Sequence, residues 1–240
     1  MNRLVIIGNG FDMAHGLKTS YMDFINWYWD QRVNSLLTNN TDTSEDCLCS
    51  LVIKNKEGLS SWHLFSFQNS FFYKDIYHKE RYSGFEIIQE ILKHPEVFSI
   101  KYCPLFENIL QSIETKGWVD IENDYYQLLK DCATNVDSNE TVSELNMQLA
   151  FLQTKLVEYL QTIETDVFRN DLQGAIKDRL NPDDFSTEGK SKALDNIGIN
   201  IADLATIRRN PRKFNKLFPE RTMLLSFNYT ATAEKYKEDN

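Results

Sequence analysis

The run Leu4-Val5-Ile6-Ile7, ending abruptly in Gly8-Asn9-Gly10, constrains the fold more than any other stretch of the chain. Four consecutive strongly apolar residues have the pattern of a strand buried on both faces, as in a parallel sheet. A strand that runs straight into Gly-x-Gly sets bare backbone at the carboxyl edge of such a sheet. Ligands of open α/β folds bind there, and glycine permits positive φ and the approach of a pyrophosphate to peptide N–H groups. Gly8, Gly10 and Gly16 are three of only nine glycines in 240 residues, so their clustering asks for a local cause.

The segment GNGFDMAHGLKTSY has Met13 where a GxGxxG fingerprint would carry its third glycine, so it is not an ordinary dehydrogenase motif. It reads either as a ligand loop or as a tight strand-to-helix turn without a ligand. As a ligand loop, the backbone N–H groups of Gly8 to Phe11 hold phosphate. Asp12 has two readings of its own. It caps the short helix after the loop by accepting backbone N–H bonds, or it is a carboxylate that holds a ribose hydroxyl or activates water. His15 reads as a satisfied structural histidine rather than a catalyst.

Farther along, Ser20 and Asp23 make a capping-box-like start for a helix over 20–37, with Tyr21, Phe24, Ile25 and Tyr28 at helical spacing. Residues 38–60 open with Thr38-Asn39-Asn40-Thr41-Asp42 and read as a polar surface loop. The aromatics of 62–82, among them Trp62, Phe65, Phe71 and Tyr77, read as core, since base stacking would call for basic residues between them. Trp118, Ile121, Tyr125, Leu128 and Cys132 form one helical stripe. The seam Leu145, Leu149, Leu152, Leu156, Tyr159, Ile163 predicts a long helix packed in a hairpin. A linker at 181–184 precedes a helix over 191–207. Arg208, Arg209, Arg212, Lys213 and Lys216 read as a solvated basic face, with a phosphate contact as the alternative. A second buried strand is expected at 222–227, which places Asn228 at its carboxyl end and lets Thr230 or Thr232 cap the helix that follows.

A net charge of −9 repels phosphate backbones and anionic lipid alike, so neither nucleic acid nor a membrane surface is an expected partner. The apolar stretch at the start is too short for a secretion signal, and no run reaches membrane-spanning length. Four cysteines without a CxxC pair and four histidines without HxxxH spacing give no metal site, and with no signal they fit a reducing cytoplasm.

The opening LVIIGNGFDMAHGLKTSYMDF, WVDIE at 118–122, the Leu-rich helix ending in Tyr159-Leu160, and SFNYTATAEKY at 226–236 resemble the AbiH family in the expected order, across nearly the whole chain. That resemblance implies a part in abortive infection, in which an infected bacterium stops supporting phage multiplication. The glycine spacing is also distantly similar to the sirtuin GAGxSxxxGI loop, with Leu17 at the following apolar position and Asn228 where sirtuins place the asparagine of TQNxD. Asp12 stands in place of the loop serine and Thr230 in place of the aspartate.

This second resemblance implies a Rossmann-like, sirtuin-like parallel core with an NAD-type nucleotide, its phosphates on the glycine loop and its ribose near Asn228. The expected architecture is one α/β domain, predominantly helical, with core segments 1–37 and 218–240 and a helical insertion over 38–217. Only two strands are evident, and the HG motif of sirtuins would lie beyond Asn240, so a C-terminally incomplete chain is expected.

Two functions follow. One is an enzyme that cleaves the glycosidic bond of NAD or a related nucleotide, with Asn228 and Asp12 as its catalytic residues and Gly8, Asn9, Gly10, Phe11, Gly16, Thr19 and Thr230 around the ligand. The other is a non-catalytic nucleotide-sensing or protein-interaction module that answers a phage-derived trigger. A homo-oligomer is compatible with both.

Overall fold

The computed structural model describes residues 2–38, 41–54, 73–75, 80–116, 120–134, 141–178, 186–196, 198–207, 209 and 219–237. The chain divides into two compact units, one of Thr19–Ile163 and one of Met1–Lys18 with Glu164–Asn240.

The Thr19–Ile163 unit is built on α2 (Tyr21–Thr38), whose Phe24, Ile25, Tyr28, Trp29 and Val33 recur at helical spacing and are all buried. Its start is the capping box legible in the sequence. The Ser20 N–H donates to the Asp23 carboxylate at 3.2 Å, and the Asp23 N–H donates to Ser20 Oγ at 3.2 Å. Around it lie α3 (Gly84–Leu92), α4 (Pro104–Lys116), α5 (Ile121–Thr134) and α6 (Val142–Gln161). Leu145, Leu152 and Tyr159 of the expected seam are buried in α6, which packs against α5, α2 and α4. Gly84 is where α3 closes on α2. A Cβ there would lie 2.3 Å from the Asn26 carbonyl oxygen, so only glycine fits.

Of the stretch 38–60, the described residues 41–54 are not the surface loop that its polar composition predicts. β2 (Thr43–Glu45) and β3 (Cys49–Ile53) form an antiparallel pair, and β3 pairs in turn with β6 (Phe98–Tyr102). Leu48, Cys49 and Leu51 enter the core. Asp46 fastens the connection to α2: its carboxylate accepts from the Tyr28 hydroxyl at 3.0 Å and from the Leu48 N–H at 2.8 Å, and it pairs with Arg32. Burial pushes the Cys49 thiol up to about 12, so it behaves as a small hydrophobe. Leu51→Ala should therefore cost about 2–5 kcal/mol. Chemical denaturation measures this, and a loss below about 1 kcal/mol would return the segment to the surface.

β4 (Tyr73–Asp75) and β5 (Glu80–Arg81) form a short antiparallel pair. The other aromatics of the 62–82 stretch fall outside the described residues, apart from Tyr82, which packs against the core. Trp118, the 181–184 linker and the basic cluster except Arg209 likewise fall outside them.

In the other unit, β1 (Asn2–Ile7) and β7 (Arg221–Ser226) pair in parallel, Leu4 beside Met223 and Ile6 beside Leu225. The Phe227 N–H extends the ladder to the Ile7 carbonyl at 2.8 Å. Arg3 reaches the Ile176 carbonyl at 2.6 Å at the end of α7 (Asn170–Lys177). The strands differ from the expected both-face burial. Leu4, Ile6, Met223 and Leu225 are 52%, 67%, 63% and 42% exposed, because no described element covers that side of the pair. A full Rossmann-like sheet is thus not present among the described residues; the architecture is mixed α/β with a two-stranded parallel and a three-stranded antiparallel sheet.

The helix expected over 191–207 is broken. α8 (Thr187–Asn196) ends before Gly198, whose φ of 66° stops it, and a 3-10 turn (Ile201–Asp203) leads into α9 (Leu204–Ile207). Among the described residues, no helix is long and apolar enough to cross a membrane.

Candidate functional site

The parallel register of β1 and β7 places both carboxyl ends side by side, and the loops that leave them meet. After β1 comes α1 (Gly10–Ala14), a single short turn closed by Gly16 at φ 77°, the one glycine of this loop that needs left-handed backbone. Gly8 and Gly10 do not adopt positive φ. A Cβ on either would meet nothing within 4 Å, so the protein itself does not require their bareness. Phe11 turns its N–H inward to the Gly8 carbonyl at 2.9 Å, and its ring packs against His15 and Tyr236.

Asp12 is fully buried, and its side-chain partners lie on the loop that follows β7. Oδ1 accepts from Asn228 Nδ2 at 2.6 Å and from Thr230 Oγ1 at 2.7 Å. The carboxylate is therefore a junction between the two loops rather than a cap on α1, whose N-cap, Asn9, makes no side-chain capping bond. Asp12 Oδ2 and Asn228 Oδ1 are both buried and have no hydrogen-bond partner. Thr230 caps the 3-10 helix Ala231–Tyr236, accepting from the Thr232 N–H at 3.3 Å, while its Oγ1 lies 2.6 Å from Thr232 Oγ1. The Asn228 N–H donates back to Ser226 Oγ at 3.2 Å.

Sequence reasoning thus named three side chains that the fold brings into direct contact, Asp12, Asn228 and Thr230, across more than two hundred residues of chain. Asn9 sits at the head of α1 beside them in sequence, and Gly16 closes that turn. Thr19 belongs to the other unit, where it is buried.

His15 has the structural role expected of it. Its Nδ1 donates to the Phe11 carbonyl at 2.7 Å, and Nε2 meets the Tyr236 hydroxyl at 2.6 Å. Sequence reading overlooked Tyr236 and Arg169. The same hydroxyl accepts from the Arg169 N–H at 2.9 Å, the Arg169 guanidinium reaches the Ala14 carbonyl at 2.6 Å, and Phe168 stacks on the Tyr236 ring. Only the position of Tyr236 within SFNYTATAEKY could have drawn attention to it. Tyr236→Phe leaves a buried histidine nitrogen and a backbone N–H without that partner. It should cost about 1–3 kcal/mol, read from the denaturation midpoint, and an unchanged midpoint would remove Tyr236 from the clamp that holds α1.

A hollow of about 760 Å3 in this unit lies along the amino-terminal half of β7 and is lined by Ile176, Arg221, Thr222 and Met223 among others. It includes none of Asp12, Asn228 and Thr230. At the loop junction Asp12 is instead fully buried and Asn228 and Thr230 are partly exposed, with the open backbone of Gly8 and Gly10 close to Asp12 in the chain. Among the described residues, no three or more His, Cys, Asp or Glu side chains are grouped to hold a metal ion.

A family model described as Bacteriophage abortive infection AbiH matches residues 4–239, which takes in both strands and every residue of the junction. No curated protein and no solved structure matches the chain.

Proposed function

Because the chain belongs to the AbiH family of bacteriophage abortive-infection proteins, we propose that it acts in that defence by binding a nucleotide at the carboxyl ends of β1 and β7 and hydrolysing it, NAD or a related nucleotide being the substrate. One observation carries the reading: a buried carboxylate and a carboxamide, each with an oxygen lacking a partner, joined at the edge of a parallel strand pair next to glycines that the fold does not itself require. Buried acceptors without donors are costly, and functional sites are where such costs are retained.

In this reading the backbone of Gly8 to Gly10 takes the phosphates of the nucleotide, as at the carboxyl edge of a Rossmann-like sheet. Asn228 and Asp12 face the ribose or the attacking water, and Thr230 fixes Asp12 between them. Depletion of the nucleotide would halt the infected cell, with a phage-derived trigger controlling when.

A second reading is a nucleotide-sensing module without catalysis. It is favoured by the burial of Asp12, which sets the carboxylate below the loop surface that a ligand would contact first. Incubating the purified protein with NAD, ADP-ribose and ATP and resolving the products chromatographically separates the two. The enzyme reading expects release of the base from NAD. Binding of a nucleotide without product would favour the sensor, and neither binding nor product would remove both.

A further inference from the structure

Two buried acceptors at the loop junction are left over once its donors are assigned, and the role inferred for them rests on the hydrolytic reading above. Asp12 Oδ1 receives two donors, Asn228 Nδ2 and Thr230 Oγ1. A Thr230 hydroxyl that gives its single proton to Asp12 has none left for Thr232, so across the 2.6 Å contact between the two hydroxyls Thr232 must be the donor. The result is a one-way relay from Thr232 to Thr230 to Asp12, which engages Oδ1 and leaves Oδ2 as the only uncommitted oxygen of the carboxylate. The same logic orients Asn228: its amide nitrogen is committed to Asp12, so its Oδ1 is the atom that still needs a donor.

Two acceptors remain, Asp12 Oδ2 and Asn228 Oδ1, on side chains tied together by one hydrogen bond and both buried. Whatever satisfies them must bring donors and must be small. A sugar ring would require the loops to part, whereas a water molecule brings two protons and commonly occupies such sites. We propose that Asp12 Oδ2 and Asn228 Oδ1 hold a single water molecule, the second substrate of the hydrolysis, and that Thr232 is a positioning residue that acts on it through Thr230 and Asp12.

A water that donates both protons to these acceptors turns its lone pairs outward, toward the bound ligand. In the reacting step a lone pair of that oxygen forms the new bond to the anomeric carbon of the ribose. The glycosidic bond breaks and its electron pair leaves with the base, and one water proton passes to Asp12 Oδ2. The other proton stays on the attacking oxygen, hydrogen-bonded to Asn228 Oδ1, and so fixes the direction of attack.

Two measurements test this apart from the nucleotide reading. A high-resolution crystal structure of the unliganded protein should contain one water within about 2.6–3.2 Å of both oxygens. A protein donor on Oδ2, or no water there, would overturn the water site while leaving nucleotide binding untouched. Kinetically, Asp12→Asn retains an acceptor for Asn228 and Thr230 but replaces Oδ2 by a donor. It should lower NAD turnover about a hundredfold or more. Thr232→Val should lower kcat roughly tenfold at constant KM, and Thr232→Ser should restore it. Equal turnover in Asp12→Asn would overturn the base assignment. An ordered water with no turnover of NAD, ADP-ribose or ATP in the parent would overturn the hydrolytic reading together with the water's role as nucleophile.

Discussion

Asn228→Ala should reduce nucleotide hydrolysis by about a hundredfold or more, the scale of losing one positioned polar group next to the reacting atoms. The substitution removes two things at once. Asn228 Nδ2 no longer donates to Asp12 Oδ1, and the carboxamide oxygen that faces the site is lost. Because Asp12 is fully buried, the missing donor also carries a stability cost of about 1–3 kcal/mol. The chain should nonetheless remain folded, since Thr230 still donates to Asp12 and the β1–β7 ladder does not involve the Asn228 side chain. Turnover measured beside the thermal midpoint distinguishes the roles. A lowered midpoint with undiminished turnover would make Asn228 a structural tie between the loops and nothing more.

Gly10→Val should abolish nucleotide binding in a protein that still folds. Gly10 is the first residue of α1, its φ is not positive, and a Cβ there would project into open space. The fold therefore has no steric objection to a side chain, and a branched one would occupy the approach that a phosphate needs. The expected loss of affinity is at least about a hundredfold, given that filling a binding surface with unyielding atoms both removes contacts and repels the ligand. Circular dichroism and the thermal midpoint report folding, and calorimetric titration reports affinity. Unchanged affinity in a folded variant would take the glycine loop out of the ligand site.

The parts of the molecule legible in the sequence are those where a single residue pattern decides the outcome. Short apolar runs leading to Gly8 and Asn228 announced β1 and β7, whose parallel pairing brought Asp12, Asn228 and Thr230 together. Helical spacing announced α2 and α6. What escaped was set by tertiary contacts that leave no local trace. β2 and β3 look like a polar loop because only some of their residues face inward, and Asp46, in the connection between them, is satisfied by Tyr28, Arg32 and two backbone N–H groups. Gly84 is demanded by a helix crossing that no neighbouring residue reveals.

The apolar runs of β1 and β7 misled in the opposite direction. They carry the composition of strands buried on both faces, yet Leu4, Ile6, Met223 and Leu225 have no described element over them. Composition reports what a strand is suited to pack against, not whether the packing partner is present. Tyr236 and Arg169 were missed because a clamp made from a hydroxyl and a backbone N–H depends on distances across 67 residues.

Amide hydrogen exchange, followed with and without saturating NAD, most directly tests the claim that the meeting point of these two loops is a nucleotide site. The account predicts slowed exchange confined to residues 7–16 and 226–232, where the ligand would lie on the glycine loop and the Asp12–Asn228–Thr230 junction would tighten beneath it. Unchanged exchange in both segments, or protection located instead along the groove between α3 and α4 lined by Trp29, Tyr102, Glu107 and Glu114, would contradict it.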